Sequence, residues 1–267
     1  MNGGSINMHN VSIFSWFGFP IPMGERFKLI KAAGFDGVLL WWSDEYAEVD
    51  GSKSLHPELA RLNGLFIENI HTPIIRNNCL WEEGTDGDAF EKTILDCIDD
   101  CKNFEIPTAV VHITNGDNPP NYNHIGLDRI NRLVEAAEKN EVNIALENLR
   151  RPEYLDFVFQ NINSNRLGFC YDSGHEICYT KGTDFLSQYG SKLMAIHLHD
   201  NDGSDDQHLI PGEGIIKWAD IKAKLYQAKY AGSIALEVTN TFSQNNIKKN
   251  PEKFLKRAYE EAKRLIL

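Results

Sequence analysis

Glu147 and Glu237 close two apolar runs of nearly identical text, IALEN and IALEV, while Asp172 closes GFCYD and His197 closes AIH between them. Three carboxylates and one imidazole make a hard, oxygen-rich donor set. It suits Mn²⁺, Co²⁺, Mg²⁺ or Zn²⁺ rather than a soft metal or a cysteine-type zinc site. A divalent cation also explains how three acids could share one place without one being driven to protonate. The competing explanation is that these acids pair with Arg150, Arg151 or Arg166. Further candidates follow the same pattern. His71 ends ENIH, His112 ends AVVH, His175 lies three residues past Asp172, and His199 lies two past His197. Such groups are costly to bury without partners. Their recurrence at one end of successive apolar runs predicts a single polar site where those ends converge.

The elements that must position these groups alternate eight times. Short apolar runs at 11–16, 37–42, 66–71, 108–113, 143–148, 167–172, 194–199 and 233–238 read as buried strands. Amphipathic stretches separate them, such as GERFKLIKAAG, DAFEKTILDCIDDCKNF and LDRINRLVEAAEKN, and PEKFLKRAYEEAKRLIL closes the chain. Pro152 and Asn250–Pro251 are helix-start signals, and Gly34, Gly64 and Gly232 stand where left-handed helix ends are expected. Regular alternation implies a parallel sheet with right-handed crossovers, and eight units imply closure. The predicted fold is a single-domain (β/α)8 TIM barrel over residues 11–267, with residues 1–10 a loose leader. A doubly wound sheet is disfavoured, because no GxGxxG turn follows the first strand. Barrel active sites lie at the C-terminal strand ends, where the polar residues fall.

Composition narrows the function further. The chain has 267 residues, and its formal charge of −11 argues against a broad surface for nucleic acid or anionic lipid. No stretch approaches the ~20 apolar residues of a membrane span. VSIFSWFGFPIPM lacks a basic flank and carries two prolines, which reads as strand and loop rather than signal peptide. Five cysteines, an odd number without a CxxC pair, predict reduced thiols and a cytoplasmic location. Helical exteriors such as KAKLYQAKY could support a homo-oligomer.

Over essentially its whole length the chain resembles the xylose isomerase-like TIM-barrel superfamily of sugar isomerases, ketose 3-epimerases, inosose dehydratases and abasic-site endonucleases. The carriers are IALENL at Glu147, CYDSGH with Asp172 and His175, IHLHDNDG at His197, DQHLIPGEG with His208, and IALEV at Glu237. The resemblance to the epimerases implies one divalent metal held by Glu147, Asp172, His197 and Glu237. It also implies that the two glutamates act as acid and base on opposite faces of a small-molecule sugar. Within the HLxDN frame His197, rather than His199, takes the ligand position, and Asp200 and Asn201 become loop anchors or turn formers. His175 and Glu153 match substrate-contacting positions, and His71, His112 and His208 are further candidates for holding hydroxyls. An arginine that those epimerases carry six residues past the metal histidine is Gly203 here, which puts a closely similar ketose in doubt.

The resemblance also implies an alternative. His71, His112, His175, Asp206 and His208, with the four metal candidates, match the nine ligands of a trinuclear zinc site in the abasic-site endonucleases. Those enzymes need a basic face for DNA. This chain is acidic, and its first three strand ends offer Trp16, Phe17, Trp41, Trp42 and Trp81 instead. Such aromatics either pack helices or wall a sugar pocket. The expected activity is therefore a sugar isomerase or epimerase working through an enediolate, with a cyclic-polyol dehydratase or a trinuclear endonuclease as alternatives.

Overall fold

A computed structural model describes residues 10–242 and 249–266; apart from Asn10, the expected leader lies outside the described residues. Eight parallel strands run in the order β7-β6-β5-β4-β3-β2-β1-β8. They are β1 (Val11–Phe14), β2 (Gly37–Trp41), β3 (Phe66–His71), β4 (Thr108–Val111), β5 (Asn143–Glu147), β6 (Leu167–Asp172), β7 (Leu193–His197) and β8 (Ile234–Leu236). The ends of this order meet. Leu198 N–H donates to Ala235 O at 2.9 Å and Glu237 N–H donates to Leu198 O at 3.0 Å, which closes the sheet into a barrel. Each strand falls within about two residues of its expected span. Several are shorter at the C-terminal end, where the chain leaves the ladder to form the site loops.

Ten α-helices surround the strands among the described residues: α1 (Met23–Ala33), α2 (Ala47–Asp50), α3 (His56–Leu62), α4 (Thr85–Asn103), α5 (His124–Asn140), α6 (Glu153–Asn161), α7 (Ser173–Tyr179), α8 (Phe185–Tyr189), α9 (Trp218–Gln227) and α10 (Pro251–Leu265). Their starts follow local chemistry. Asn123, Asp184 and Asn250 each accept a backbone N–H from the first turn of α5, α8 and α10. Gly34 ends α1 at φ 110° as expected, but Lys229, at φ 54°, supplies the left-handed turn after α9 in place of Gly232. The short α2 and α7 carry no apolar periodicity long enough to be read from sequence. Outward strand residues pack beneath the helices in one continuous core. Val110, Ala145, Cys170 and Ala195 form a separate cluster with small side chains inside the barrel. Among the described residues no helix is long and apolar enough to cross a membrane, and all five cysteines are free thiols.

Candidate metal centre and active site

Parallel pairing fixes which candidates meet. Glu147 sits in register with Cys170, and Asp172 with His197, so the last inward residues of β5, β6 and β7 reach one level. Glu237 joins them from the residue after β8. The four residues are buried, and their donor atoms lie within 4.8 Å of one another. His197 Nδ1 stands 3.0 Å from Glu237 and 3.3 Å from Glu147. The arginines that could have neutralised these acids are engaged elsewhere. Arg150 meets Asp117, Arg151 meets Glu153, and Arg166 donates to Asn143. Three buried carboxylates with one imidazole, and no guanidinium or ammonium at hand among the described residues, therefore fit a hard divalent cation.

Two further groups flank this centre. On one side His112 Nε2 lies 2.8 Å from Glu147 and 3.2 Å from His71 Nε2, so Glu147 is shared between the central four and a His71–His112 pair. On the other side Asp206 approaches His175 at 3.2 Å and His208 at 3.4 Å. His199 belongs to that second group. Its Nε2 lies 3.1 Å from Asp172, and its ring stacks on His208 with centroids 4.0 Å apart. The strand-end pattern includes His199 but does not assign it to this group, because its companion Asp206 comes from a loop seven residues on.

Backbone contacts hold these rings and acids in place. Asp172 caps α7 by accepting His175 N–H at 2.6 Å, and Asn148 bonds both the N–H and the C=O of Asp172. His175 Nδ1 lies 3.0 Å from Asn148 O, His208 Nδ1 lies 2.7 Å from Glu237 O, and His71 Nδ1 lies 2.9 Å from Thr72 O. The charges are mutually supporting. Burial alone would push Glu147 up, but the His197 and His112 imidazoles hold its carboxyl well below the usual range. Burial likewise works against Glu237, and His197 and His208 outweigh it. Burial would lower His175, yet Asp172 and Asp206 drive it up to about 10. His112 is the exception: burial depresses it despite Glu147.

Glu147 and Glu237 of this centre line a cavity of about 400 Å³, with Asp172 and His197 buried behind them. His71, His112, His175, Asp206 and His208 border it, opposite an apolar wall of Phe14, Trp16, Trp41 and Ile74. Glu45 and Tyr46 also reach the cavity, from the loop before α2; sequence reading missed both, since only the folded loop brings them there. The other expected wall aromatics pack outside. Phe17 joins Phe19 and Phe254, Trp42 donates to Asp100 at 2.8 Å, and Trp81 donates to Ile113 O at 2.6 Å. Glu153 does not line the cavity; it opens α6 with its carboxylate 2.6 Å from Arg151 Nε. Asp200 anchors the loop after β7, accepting from Gly212 N–H, Ile216 N–H and the Trp218 indole. The PGEG turn packs Gly214 against Asn201, where a Cβ would lie 2.2 Å from the carbonyl oxygen.

Comparison with known proteins agrees with this architecture. The uncharacterized protein MJ1311 of Methanocaldococcus jannaschii is 32% identical over 56% of this chain and 58% of its own length. A D-psicose 3-epimerase of Enterocloster bolteae is 28% identical over 40% of this chain and 37% of its own. The matches span between 36% and 58% of the lengths of the curated relatives. Among solved structures, an IolI protein with a bound zinc atom superposes with TM-score 0.76 at 17% identity, covering 96% of this chain and 97% of that one. A family model described as xylose isomerase-like TIM barrel matches residues 27–258. The chain is thus a member of the xylose isomerase-like TIM barrel family.

Proposed function

We propose that this protein is a divalent-metal-dependent isomerase or epimerase of a free sugar or a related polyol-ketone. The observation that carries this reading is the buried convergence of Glu147, Asp172, His197 and Glu237 beside the cavity, with their donor atoms within 4.8 Å. Those four residues would hold the cation, which when bound supplies Lewis acidity toward the carbonyl and hydroxyl oxygens of the substrate. Glu147 and Glu237 come from strands on either side of the centre. Each has two carboxylate oxygens, so each can keep one on the cation and offer the other to a carbon-bound proton. One glutamate removes the proton α to the carbonyl and the other returns it, on the same or the opposite face. Their depressed proton affinity keeps them ionised, the state in which a carboxylate binds a cation. His71, His112, His175 and His208 border the space in which hydroxyls would lie, and Trp16 and Trp41 offer an apolar face to the ring carbons. No Lys or Arg lines the cavity among the described residues, which favours an unphosphorylated substrate. The likeness to a D-psicose 3-epimerase supports the same class. The free thiols suit a cytoplasmic protein.

The test is solvent-deuterium incorporation. Incubation of the metal-loaded protein with free ketoses and aldoses in D₂O is expected to place deuterium at one carbon next to the carbonyl, and Glu237→Gln is expected to abolish it. If no sugar of either type exchanges, the proton-transfer reading fails.

A second reading keeps support from the flanking groups. His71, His112 and Glu147 on one side, and His199, Asp206 and His208 on the other, could each hold a further ion. This favours up to three zinc ions and a hydrolytic enzyme of the abasic-site endonuclease type. Metal analysis separates the two: about one ion per chain supports the sugar enzyme, and about three support the nuclease. A dehydratase of a cyclic polyol would share the first step and is distinguished by loss of water from its product.

A further inference from the structure

Besides the small cluster of Val110, Ala145, Cys170 and Ala195, the barrel interior holds buried polar side chains, where such barrels are ordinarily filled with branched apolar ones. The cause is a bulge in β3. Val38 pairs with Ile67 but Leu39 pairs with Asn69, which leaves Glu68 as the extra residue. A bulge re-aims a side chain, and Glu68 crosses the interior to accept a hydrogen bond from Ser233 Oγ at 2.5 Å. Tyr230 closes that end, its hydroxyl donating to Ser233 O at 3.2 Å. Asn69 is fully buried, and neither its amide oxygen nor its amide nitrogen has a protein partner. Ser12 Oγ is likewise buried and unpartnered. Ser12 shares the inward face of β1 with Phe14, two residues on, which lines the cavity. Above them His197 directs Nδ1 at the two glutamates, and its Nε2 is buried without a partner.

Buried polar atoms that lack protein partners are ordinarily satisfied by internal water, and each such water needs two to four of them. The Asn69 amide, Ser12 Oγ, His197 Nε2 and the Glu68 carboxylate supply that number. Ala145, Ala195 and Ala235 are buried strand residues with only methyl side chains. We propose that a short file of internal water runs beneath the metal donors, and that through it Glu68 holds His197 in the tautomer that presents Nδ1 to the cation. A metal-bound imidazole commonly donates its other N–H to a carboxylate, a carbonyl or a water, and that contact fixes the ring. Glu68 is thus a positioning residue. Its role rests on the reading of His197 as a ligand; the water file does not. The rival partner is the Cys170 thiol beside His197. A thiol is a weak acceptor, and it leaves Asn69 and Ser12 unanswered.

Two measurements decide the matter. A high-resolution crystal structure of the full chain is expected to show ordered water within hydrogen-bond distance of the Asn69 amide and His197 Nε2. A dry interior overturns the proposal, whether or not metal is bound. Calorimetric titration with Mn²⁺ is expected to show binding weakened about 10-fold in Glu68→Gln and unchanged in Cys170→Ala, with the thermal midpoint of metal-free Glu68→Gln staying near that of the parent. Loss of affinity in Cys170→Ala but not in Glu68→Gln overturns the role of Glu68. A parent chain that binds no Mn²⁺, Zn²⁺ or Co²⁺ refutes the metal reading and that role together, while the crystal structure still judges the water file.

Discussion

The two sides of the barrel mouth are built on different physical terms. From β5 to β8 the lining groups are acids and imidazoles. Asn148 ties down the backbone of Asp172, and His175 and His208 each set one ring nitrogen against a main-chain carbonyl. From β1 to β3 the lining is mainly aromatic, with Glu45 and His71 among it, and the wall is held by stacking. Trp16 lies parallel to Tyr46 with centroids 5.6 Å apart, and the buried Arg26 guanidinium sits 4.9 Å from the Trp16 ring. Arg26 in turn grips Asp50 at the end of α2 at 2.7 Å, so one buried cation holds the wall and its loop together. Tyr46 remains 49% exposed, which leaves the rim of this wall able to adjust. Charge stabilisation requires donors fixed in advance. An apolar wall needs only area and tolerates movement. Under the proposed function the chemistry would fall to the rigid side and substrate fit to the adaptable one.

The sharpest test of that division is Glu147→Gln. Removing one of the two proposed bases is expected to lower turnover about 10³-fold with the fold intact, as read by steady-state kinetics and circular dichroism. Comparable activity in the variant would move the chemistry elsewhere. On the aromatic side, Arg26→Ala strips a partner from Asp50 and the support from Trp16. It is expected to cost about 3 kcal/mol in denaturant unfolding and to raise KM, with the metal content of the protein unchanged. Chelation probes the rigid side alone. At a metal concentration of about 100 Kd, bound ion stabilises by ~2.7 kcal/mol, so removal with EDTA is expected to lower the thermal midpoint, and readdition to restore it. Trp16→Ala is gentler, with about 1 kcal/mol of stacking lost, seen in KM with kcat nearly constant. If Trp16→Ala instead changes kcat and leaves KM alone, the assignment of fit to this wall is wrong.

The smallest effect lies outside the mouth, where Glu176 in α7 is buried against Tyr171. Burial raises its carboxyl to about 7, with Lys224 only partly opposing. An unfolded glutamate titrates at ~4.3, so ionised Glu176 destabilises the fold from that pH upward and in full above 7. Glu176→Gln is expected to raise the thermal midpoint by a few degrees at pH 8, on the scale of ~2–4 °C per kcal/mol, and to leave it unchanged at pH 4. A change equal at both values would point to packing rather than charge.

Much of the candidate site was legible because strand ends repeat. A buried strand that stops on Glu, Asp or His announces itself, and the eightfold alternation says where such ends gather. What escaped reading was local geometry without periodicity. His199 was legible as a strand-end histidine but its companions were not, because only the folded loop brings Asp206 and His208 to it. Trp42 and Trp81 look like wall residues in the text, yet their indoles turn outward to Asp100 and Ile113. Glu153 sits at an inviting spacing from Glu147 but closes on Arg151. The bulge at Glu68 leaves no mark at all, since ENIH reads as ordinary alternation until its pairing with β2 slips by one residue.

The text alone determined the barrel and singled out four candidate donors at its strand ends, because hydrophobic periodicity dictates which faces must be buried and parallel crossovers gather those ends on one side. Which nitrogen of which histidine faces the glutamates, which tryptophans look inward, and which polar atoms lie beneath the centre were settled only by tertiary packing. Those outcomes depend on register, on a single bulged residue and on loop contacts. Each of these is fixed by neighbours distant in the chain rather than by the residues themselves.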